Sequence, residues 1–328
     1  MTMTSKLLKR AKQLLPFVGL GILALIVYSL KIDLIVDAFL SINPWYVLAS
    51  LSLVLPMIVV RNAAWQFIMR DQKIHAGFFY TAKLFLIGLF YGTITPGYVG
   101  ELMRVPYLKE RTGEPYGKLF VNTVIETFVH TLSLYGMMVI GAVLVIGTLP
   151  NLLPLTVLWI LAVCLIALYF SRKGPGEKVF NLIIRYAIPK KMKGHLSAFV
   201  DSFYLDFPHL KAMILPFLLG ILTWVIVFTQ EYIIVLALGL PIPYLMFLLL
   251  FPIANTAGFI PITFAGLGTR ELTAIFIFST LYAIPEEKVL VLSLVGFMVT
   301  DVFTGMLGFI MSLTESRNGN HLSDLIGG

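Results

Sequence analysis

The most regular feature of the chain is a succession of long apolar segments separated by short polar gaps. The nine segments cover residues 14–30, 44–69, 78–95, 119–146, 153–170, 213–238, 244–260, 272–284 and 289–313. Each segment is too long and too uniformly apolar for an exposed strand, whereas a helix satisfies its own backbone polar groups in lipid. The pattern therefore predicts an all-α, polytopic integral membrane protein.

The charges in the gaps predict the orientation of the segments, because lysine and arginine favour the cytoplasmic side of a membrane. The N-terminus is basic, and so are the gap 70–75 and the stretch 100–118. Two consecutive cytoplasmic gaps cannot flank one complete span. Segment 78–95 is therefore expected to enter from the cytoplasm, turn, and return through residues 101–107 as a re-entrant helical hairpin.

A second hairpin is predicted in the other half of the chain, entering from the outside. The loop 171–195 carries seven basic residues and one acid, so it is assigned to the cytoplasm. The gap 239–243 has no charge, and the gap after residue 284 has Glu286 and Glu287, which suits the outside. The complete prediction is six full spans, two re-entrant hairpins, and N- and C-termini in the cytoplasm.

The two hairpins suggest an inverted-topology repeat, with halves 1–148 and 149–313 and a short cytoplasmic tail 314–328. The predicted hairpin tips, Pro96 and Pro261, are each followed by glycines and then by an acid and an arginine, in swapped order. Such repeats place substrate sites at broken helices near the membrane midplane.

Composition and charge narrow the possible functions. Apolar residues make up 59% of the chain and charged residues 12%, against about 25% in soluble domains. The net charge of +7 is explained by topology, since no basic stripe alternates with exposed aromatic residues as nucleic-acid binding would require. The single cysteine, Cys164, can form no intrachain disulfide.

Ionisable residues inside the apolar segments are the candidate functional residues, because each costs about 2.5–3.5 kcal/mol to insert. The candidates are Arg61, Lys83, Glu101, Arg104, Glu126, His130, Glu231, Arg270, Glu271 and Asp301. Arg61 and Lys83 could instead extend their charged ends to the cytoplasmic surface.

Arg104 and Arg270 are predicted to bind a lipid phosphate, because each follows a broken helix. A helix N-terminus inside the membrane offers backbone N–H groups and a positive dipole to an anion, and arginine adds a bidentate donor. Glycines near each tip would permit a close approach of the backbone or would serve turn geometry and helix packing. These glycines are Gly97, Gly100, Gly266 and Gly268.

Other candidate residues suggest proton transfer, gating or charge balance. Glu126 and His130 are four residues apart and share a helix face. No second ligand pair at metal spacing accompanies them, so no metal site is predicted. Arg61 and Glu231 lie at similar depths in the two halves, which suggests an ion pair between them. The chain has no nucleotide, dinucleotide or hydrolase motif, so no cofactor is predicted.

The hairpin sequences resemble those of the lysylphosphatidylglycerol synthase transmembrane family, a flippase-like domain. The resemblance rests on the Pro-Gly-x-x-Gly-Glu-x-x-Arg run at 96–104, on Arg61 with Trp65, and on the run from Pro261 to Glu271. It covers nearly the whole chain and implies a lipid-translocating domain of a prokaryotic plasma membrane. The soluble aminoacyltransferase domain of the bifunctional members has no counterpart here, and the family's acid–arginine pair reads Glu126-Thr127.

Three functional hypotheses follow. The first is a flippase or scramblase for an anionic, aminoacylated or polyprenyl-phosphate-linked lipid, with Glu101, Glu126, Glu271 and Asp301 balancing charge or gating. The second is an intramembrane lipid-modifying transferase that uses Glu126 and His130 as acid and base. The third is a membrane partner subunit that docks a cytoplasmic enzyme on loop 171–195. The expected partners are membrane lipids and not nucleic acid, and an oligomer is possible.

Overall fold

A computed structural model of the protein describes residues 18–30, 32–95, 97–171, 174, 176–178, 209–260 and 265–318. In these ranges the regular structure is helical throughout, which confirms the prediction of an all-α membrane protein. The helices are α1 (Val18–Ser29), α2 (Ile32–Leu40), α3 (Pro44–Ser52), α4 (Val54–Asp71), α5 (Phe78–Thr93), α6 (Arg104–Thr112), α7 (Tyr116–Leu144), α8 (Leu152–Ser171), α9 (Ile214–Ala237), α10 (Tyr244–Gly258), α11 (Thr269–Tyr282), α12 (Glu286–Phe297) and α13 (Phe303–Asn318).

Among the described residues, five continuous helical stretches are long and apolar enough to cross a membrane. They are Pro44–Asp71, Tyr116–Leu144, Leu152–Phe170, Lys211–Ala237 and Glu286–Glu315. Helices α5 and α10, the first arms of the two predicted hairpins, are shorter and also apolar. The first predicted segment, 14–30, begins outside the described residues, and its described part forms α1.

The structure differs from the sequence prediction in two local features. The near-neutral gap after α1 contains a helix, α2, whose first turn carries Asp33, a favourable position for an acid at a helix N-terminus. The ninth segment is also not a uniform helix. A π-helical segment, Met298–Val302, joins α12 to α13, and such segments are frequent at functional sites.

Several predicted features lie outside the described residues, wholly or in large part. They are the tips Pro96 and Pro261, most of the basic loop 171–195, and the tail after residue 318. At the first tip, a 3₁₀ helix, Val99–Met103, leads directly into α6.

The chain divides into two compact units that alternate along the sequence. Unit 1 comprises Met1–Val59, Ala82–Met103 and Thr223–Gly328, and unit 2 comprises Val60–Thr81 and Arg104–Leu222. Unit 1 has an aromatic core in which Phe247, Phe251 and Phe278 stack with centroid distances of 4.8–6.2 Å. The core of unit 2 includes Ile68 of α4 with three residues of α7, namely Val121, Ile125 and Val129.

Gly308 allows α13 to pack directly on α5 within unit 1. A Cβ atom at Gly308 would lie 2.0 Å from the carbonyl oxygen of Leu86, so a side chain there requires the two helices to separate. We expect Gly308→Ala to lower the free energy of unfolding by about 1–3 kcal/mol, measured by denaturation in detergent. Gly136→Ala is the matched control, because nothing lies within 4 Å of its added Cβ. Equal stability of the two variants would contradict this account of the packing.

Candidate functional site

Unit 2 contains a buried cluster in which two arginines share one glutamate. Arg61 donates from Nε to Glu126 Oε1 at 2.8 Å, and Arg104 donates from a terminal nitrogen to Glu126 Oε2 at 3.0 Å. Arg104 is fully buried, and the side chain of Glu126 is 2% exposed. A second terminal nitrogen of Arg104 donates to Thr127 Oγ1 at 3.2 Å. The cluster thus holds one carboxylate between two guanidinium groups.

Helical spacing brings these side chains together. Arg61 and Trp65 are four residues apart on α4 and share a face, and the same spacing aligns Asn122, Glu126 and His130 on α7. The guanidinium of Arg104 lies over the Trp65 ring, 4.8 Å from its centroid.

The indole of Trp65 is itself fixed by hydrogen bonds. It donates to Asn122 Oδ1 at 2.7 Å, and the amide nitrogen of Asn122 donates to Gln72 Oε1 at 2.7 Å. The Trp65 ring on which Arg104 stacks is therefore held in place by buried hydrogen bonds as well as by packing.

The ion pair of Arg61 that the structure describes is with Glu126, and the Arg61–Glu231 ion pair suggested by the sequence stays a prediction. Arg61 binds Glu126, which lies in its own unit, whereas Glu231 belongs to unit 1. Glu126 and His130 are both buried on α7.

Unit 1 contains a second cluster, centred on Arg270 at the start of α11. Arg270 donates to Glu271 Oε1 from NH2 at 2.7 Å and from Nε at 3.1 Å. Ser293 of α12 also donates to that oxygen at 3.0 Å, and Asp301 lies 3.9 Å from Arg270 NH1. The guanidinium lies 4.9 Å from the centroid of the Phe297 ring. Each unit thus has a buried arginine that binds a glutamate and stacks on an aromatic ring.

Residues near the two predicted tips contact each other within unit 1. The hydroxyl of Tyr98 donates to Asp301 Oδ1 at 3.0 Å and lies 3.4 Å from the carbonyl oxygen of Ala265. The Tyr98 ring meets Phe259 edge-on. Tyr98 and Ala265 both have positive φ, 56° and 48°, which is uncommon outside glycine and often accompanies functional sites.

One backbone N–H group near each tip has a side-chain acceptor among the described residues. The amide of Gly100 donates to Thr95 Oγ1 at 2.7 Å, and that of Gly268 donates to Glu271 Oε2 at 2.6 Å.

The candidate glycines serve packing and turn geometry. A Cβ at Gly100 would lie 2.0 Å from the carbonyl oxygen of Tyr91, and one at Gly266 would lie 2.7 Å from Cα of Gly258. Gly97 and Gly268 adopt positive φ. The predicted contact of these glycines with a lipid phosphate stays a prediction.

The remaining acidic and basic candidates lie in unit 1. Glu101 is in the 3₁₀ helix, and its Cγ would lie 3.0 Å from a Cβ at Gly92. Lys83 forms an ion pair with Glu315 of α13. Glu231 is 3% exposed on α9. Within the described ranges, no group of three His, Cys, Asp or Glu residues is placed to hold a metal ion.

Sequence comparison assigns the family. Residues 15–308 match the model of the lysylphosphatidylglycerol synthase TM region. The chain belongs to this family. It is also similar to the UPF0104 membrane protein MJ1595 of Methanocaldococcus jannaschii, with 25% identity over 314 residues, which cover 91% of this chain and 93% of the relative. The family resemblance expected from the hairpin motifs is thereby confirmed.

Sequence reasoning did not assign a role to Tyr98, Ser293 or Phe297. Tyr98 lies inside the first hairpin motif, and this position was the one sequence feature that could have marked it as a candidate. Ser293 and Phe297 are four residues apart on α12 and contact Arg270, but nothing in an apolar helix distinguishes them before Arg270 is placed. Trp65 was noted only as part of the motif, yet its ring lies under Arg104.

Proposed function

We propose that this membrane protein translocates a lipid with a phosphate-containing, anionic headgroup between the leaflets of a prokaryotic plasma membrane. The observation that carries the proposal is the Arg61–Glu126–Arg104 cluster. Two guanidinium groups on the two oxygens of one carboxylate form an arrangement that suits a phosphate equally well, because phosphate offers the same paired oxygen acceptors.

Glu126 acts in this proposal as an internal anion that the headgroup displaces. Burying two positive charges in the membrane without an anion costs free energy. Glu126 therefore balances the charge of the two arginines when no lipid is present. An entering phosphate competes for the same donors, and Glu126 returns when the lipid leaves. The exchange makes binding reversible, which translocation requires.

The unit 1 cluster is less suited to a phosphate, although the sequence suggested that Arg270 binds one. Glu271 accepts from Arg270, Ser293 and the amide of Gly268, and Asp301 lies near the same guanidinium. The acids repel an incoming anion. We therefore assign phosphate binding to Arg61 and Arg104, and charge balance or a cationic headgroup to Glu271 and Asp301.

The test is a leaflet-access assay in proteoliposomes that contain fluorescent phosphatidylglycerol or a labelled polyprenyl phosphate. We expect the wild type to expose the probe to the outer leaflet, and Arg104→Gln to slow exposure roughly ten- to hundredfold, as for loss of a hydrogen bond between charged groups. Arg104→Lys tests whether charge alone suffices. Arg111→Gln is the matched control, since Arg111 is exposed on the same helix, α6.

A folded Arg104→Gln variant that moves both probes at the wild-type rate would refute the role of Arg104. Absence of movement with folded wild-type protein would favour the other two hypotheses, the transferase and the partner subunit. Product formation in detergent then identifies a transferase, and copurification of a soluble enzyme identifies a partner subunit.

A further inference from the structure

Glu231 is a buried carboxyl group whose hydrogen bonding is incomplete. It is 3% exposed on α9, and within the described part of the chain its Oε2 atom has no hydrogen-bond partner. Its carboxyl group faces Gly296 of α12, where an added Cβ would lie 3.4 Å from the carboxyl carbon and 3.6 Å from Oε1. Because glycine has no side chain, position 296 leaves room for this carboxyl group inside unit 1.

The charged groups that act on Glu231 are Arg270, Glu271 and Asp301. Arg270 is held by Glu271 at 2.7 Å, so the nearest cation already has an anionic partner. Asp301 accepts from the hydroxyls of Tyr98 and Thr300, at 3.0 Å and 2.8 Å. Glu271 and Asp301 thus have donors that stabilise their charge, whereas the described contacts give Glu231 Oε2 none.

An ionised carboxylate in this position would be costly, because a buried charge needs both an ionic partner and hydrogen bonds. A proton on Oε2 removes the charge at the oxygen to which none of the described residues donates a hydrogen bond. A metal cation is a poorer occupant, because no metal-binding group is found among the described residues and the guanidinium of Arg270 repels cations.

We propose that Glu231 is an intramembrane proton-binding site and that it couples lipid translocation to the proton gradient. The coupling rests on the proposed function, whereas proton binding does not. The proton adds to one carboxylate oxygen and later leaves from it, and no other covalent bond changes. The π-helical segment that contains Asp301 begins two residues after Gly296. A change of charge at Glu231 therefore acts next to a break in the regular α-helical hydrogen bonding, where the helix can change conformation.

Proton binding is tested by infrared difference spectroscopy on the purified full chain in detergent, with no lipid probe. At neutral pH we expect the wild type to show the carbonyl band of a protonated carboxylic acid, and Glu231→Gln to lose intensity in that band. Glu286→Gln, the same change at an exposed acid, should leave the band unchanged. Glutamine closely matches a protonated glutamate in shape, so Glu231→Gln should also unfold at the wild-type denaturant concentration.

An unchanged band in Glu231→Gln would show that Glu231 is ionised and overturn the proposal. Loss of the wild-type band on adding sodium chloride at constant pH would also overturn it, because Na⁺ would then occupy the site.

Coupling is tested in phosphatidylcholine vesicles that contain fluorescent phosphatidylglycerol. An imposed pH gradient should accelerate probe movement with the wild type and Glu286→Gln, and should have no effect with Glu231→Gln. Movement that is insensitive to the gradient in the wild type would overturn the coupling. Failure of the probe to move at all would refute the proposed function and, with it, the coupling, whereas the infrared result decides proton binding separately.

Discussion

Replacing Glu126 with glutamine is expected to lower the free energy of unfolding by about 3–5 kcal/mol, one of the two largest effects of a single substitution in this protein. Glu126 accepts from both Arg61 and Arg104, and all three side chains are buried. The neutral amide leaves two guanidinium groups facing each other without the carboxylate between them. The measurement is chemical denaturation of the purified protein in detergent, followed by tryptophan fluorescence.

Two further variants separate the role of Glu126 from a general effect of substitution. Arg61→Gln should cost less than Glu126→Gln, because Glu126 then keeps its bond to Arg104 at 3.0 Å. Glu110→Gln removes an exposed acid of α6 and should leave stability within about 0.5 kcal/mol of the wild type. If Glu126→Gln were no less stable than Arg61→Gln, Glu126 would not be the shared partner of the two arginines.

The sequence predicted the helices well because the apolar pattern reports burial in lipid directly. The predicted segment 119–146 corresponds to α7, Tyr116–Leu144, and segment 244–260 corresponds to α10, Tyr244–Gly258. Helix α2 was missed because it lies in a gap with three charged residues, where hydropathy gives no signal. The number of spans, the two re-entrant hairpins and the inverted repeat all stay predictions.

The candidate site was only partly predictable, because residue type and depth do not determine side-chain direction. Both tip arginines were identified from their positions after broken helices, and both are buried. Their partners were not identified. The pairing of Arg61 with Glu126 depends on how α4 and α7 are rotated about their axes, and on the placement of Trp65 under Arg104. Such contacts depend on how the helices pack in three dimensions, and no pattern in a single sequence reveals them.

The two clusters differ in their balance of charges. The sequence suggested the same phosphate-binding role for Arg104 and Arg270, but their surroundings differ. In unit 2, the described contacts place two guanidinium groups on one carboxylate. In unit 1, the carboxylates of Glu271 and Asp301 lie within 4 Å of Arg270. On these described contacts, we expect the first arrangement to attract an anionic headgroup more than the second does. This asymmetry supports our proposals of phosphate recognition in unit 2 and proton binding in unit 1.

Replacing Arg270 with glutamine is expected to destabilise the protein by about 3–5 kcal/mol, because it leaves Glu271 buried with no cation. Among the described contacts, Glu271 would keep the donors Ser293 and the amide of Gly268, at 3.0 Å and 2.6 Å. The double variant Arg270→Gln/Glu271→Gln removes both charges and should recover most of the loss. Denaturation in detergent of the wild type, both single variants and the double variant forms a thermodynamic cycle, in which this recovery appears as a coupling about as large as one single loss, about 3–5 kcal/mol.

Arg270→Lys is the control that keeps the charge and removes the bidentate fork. It should lie between the wild type and Arg270→Gln, since lysine can pair with Glu271 but cannot donate from two nitrogens in one plane over the Phe297 ring. If the two single losses simply added in the double variant, the Arg270–Glu271 pair would contribute nothing to stability. The reason for keeping an arginine among the acids of unit 1 would then have to be its chemistry with a substrate rather than the fold.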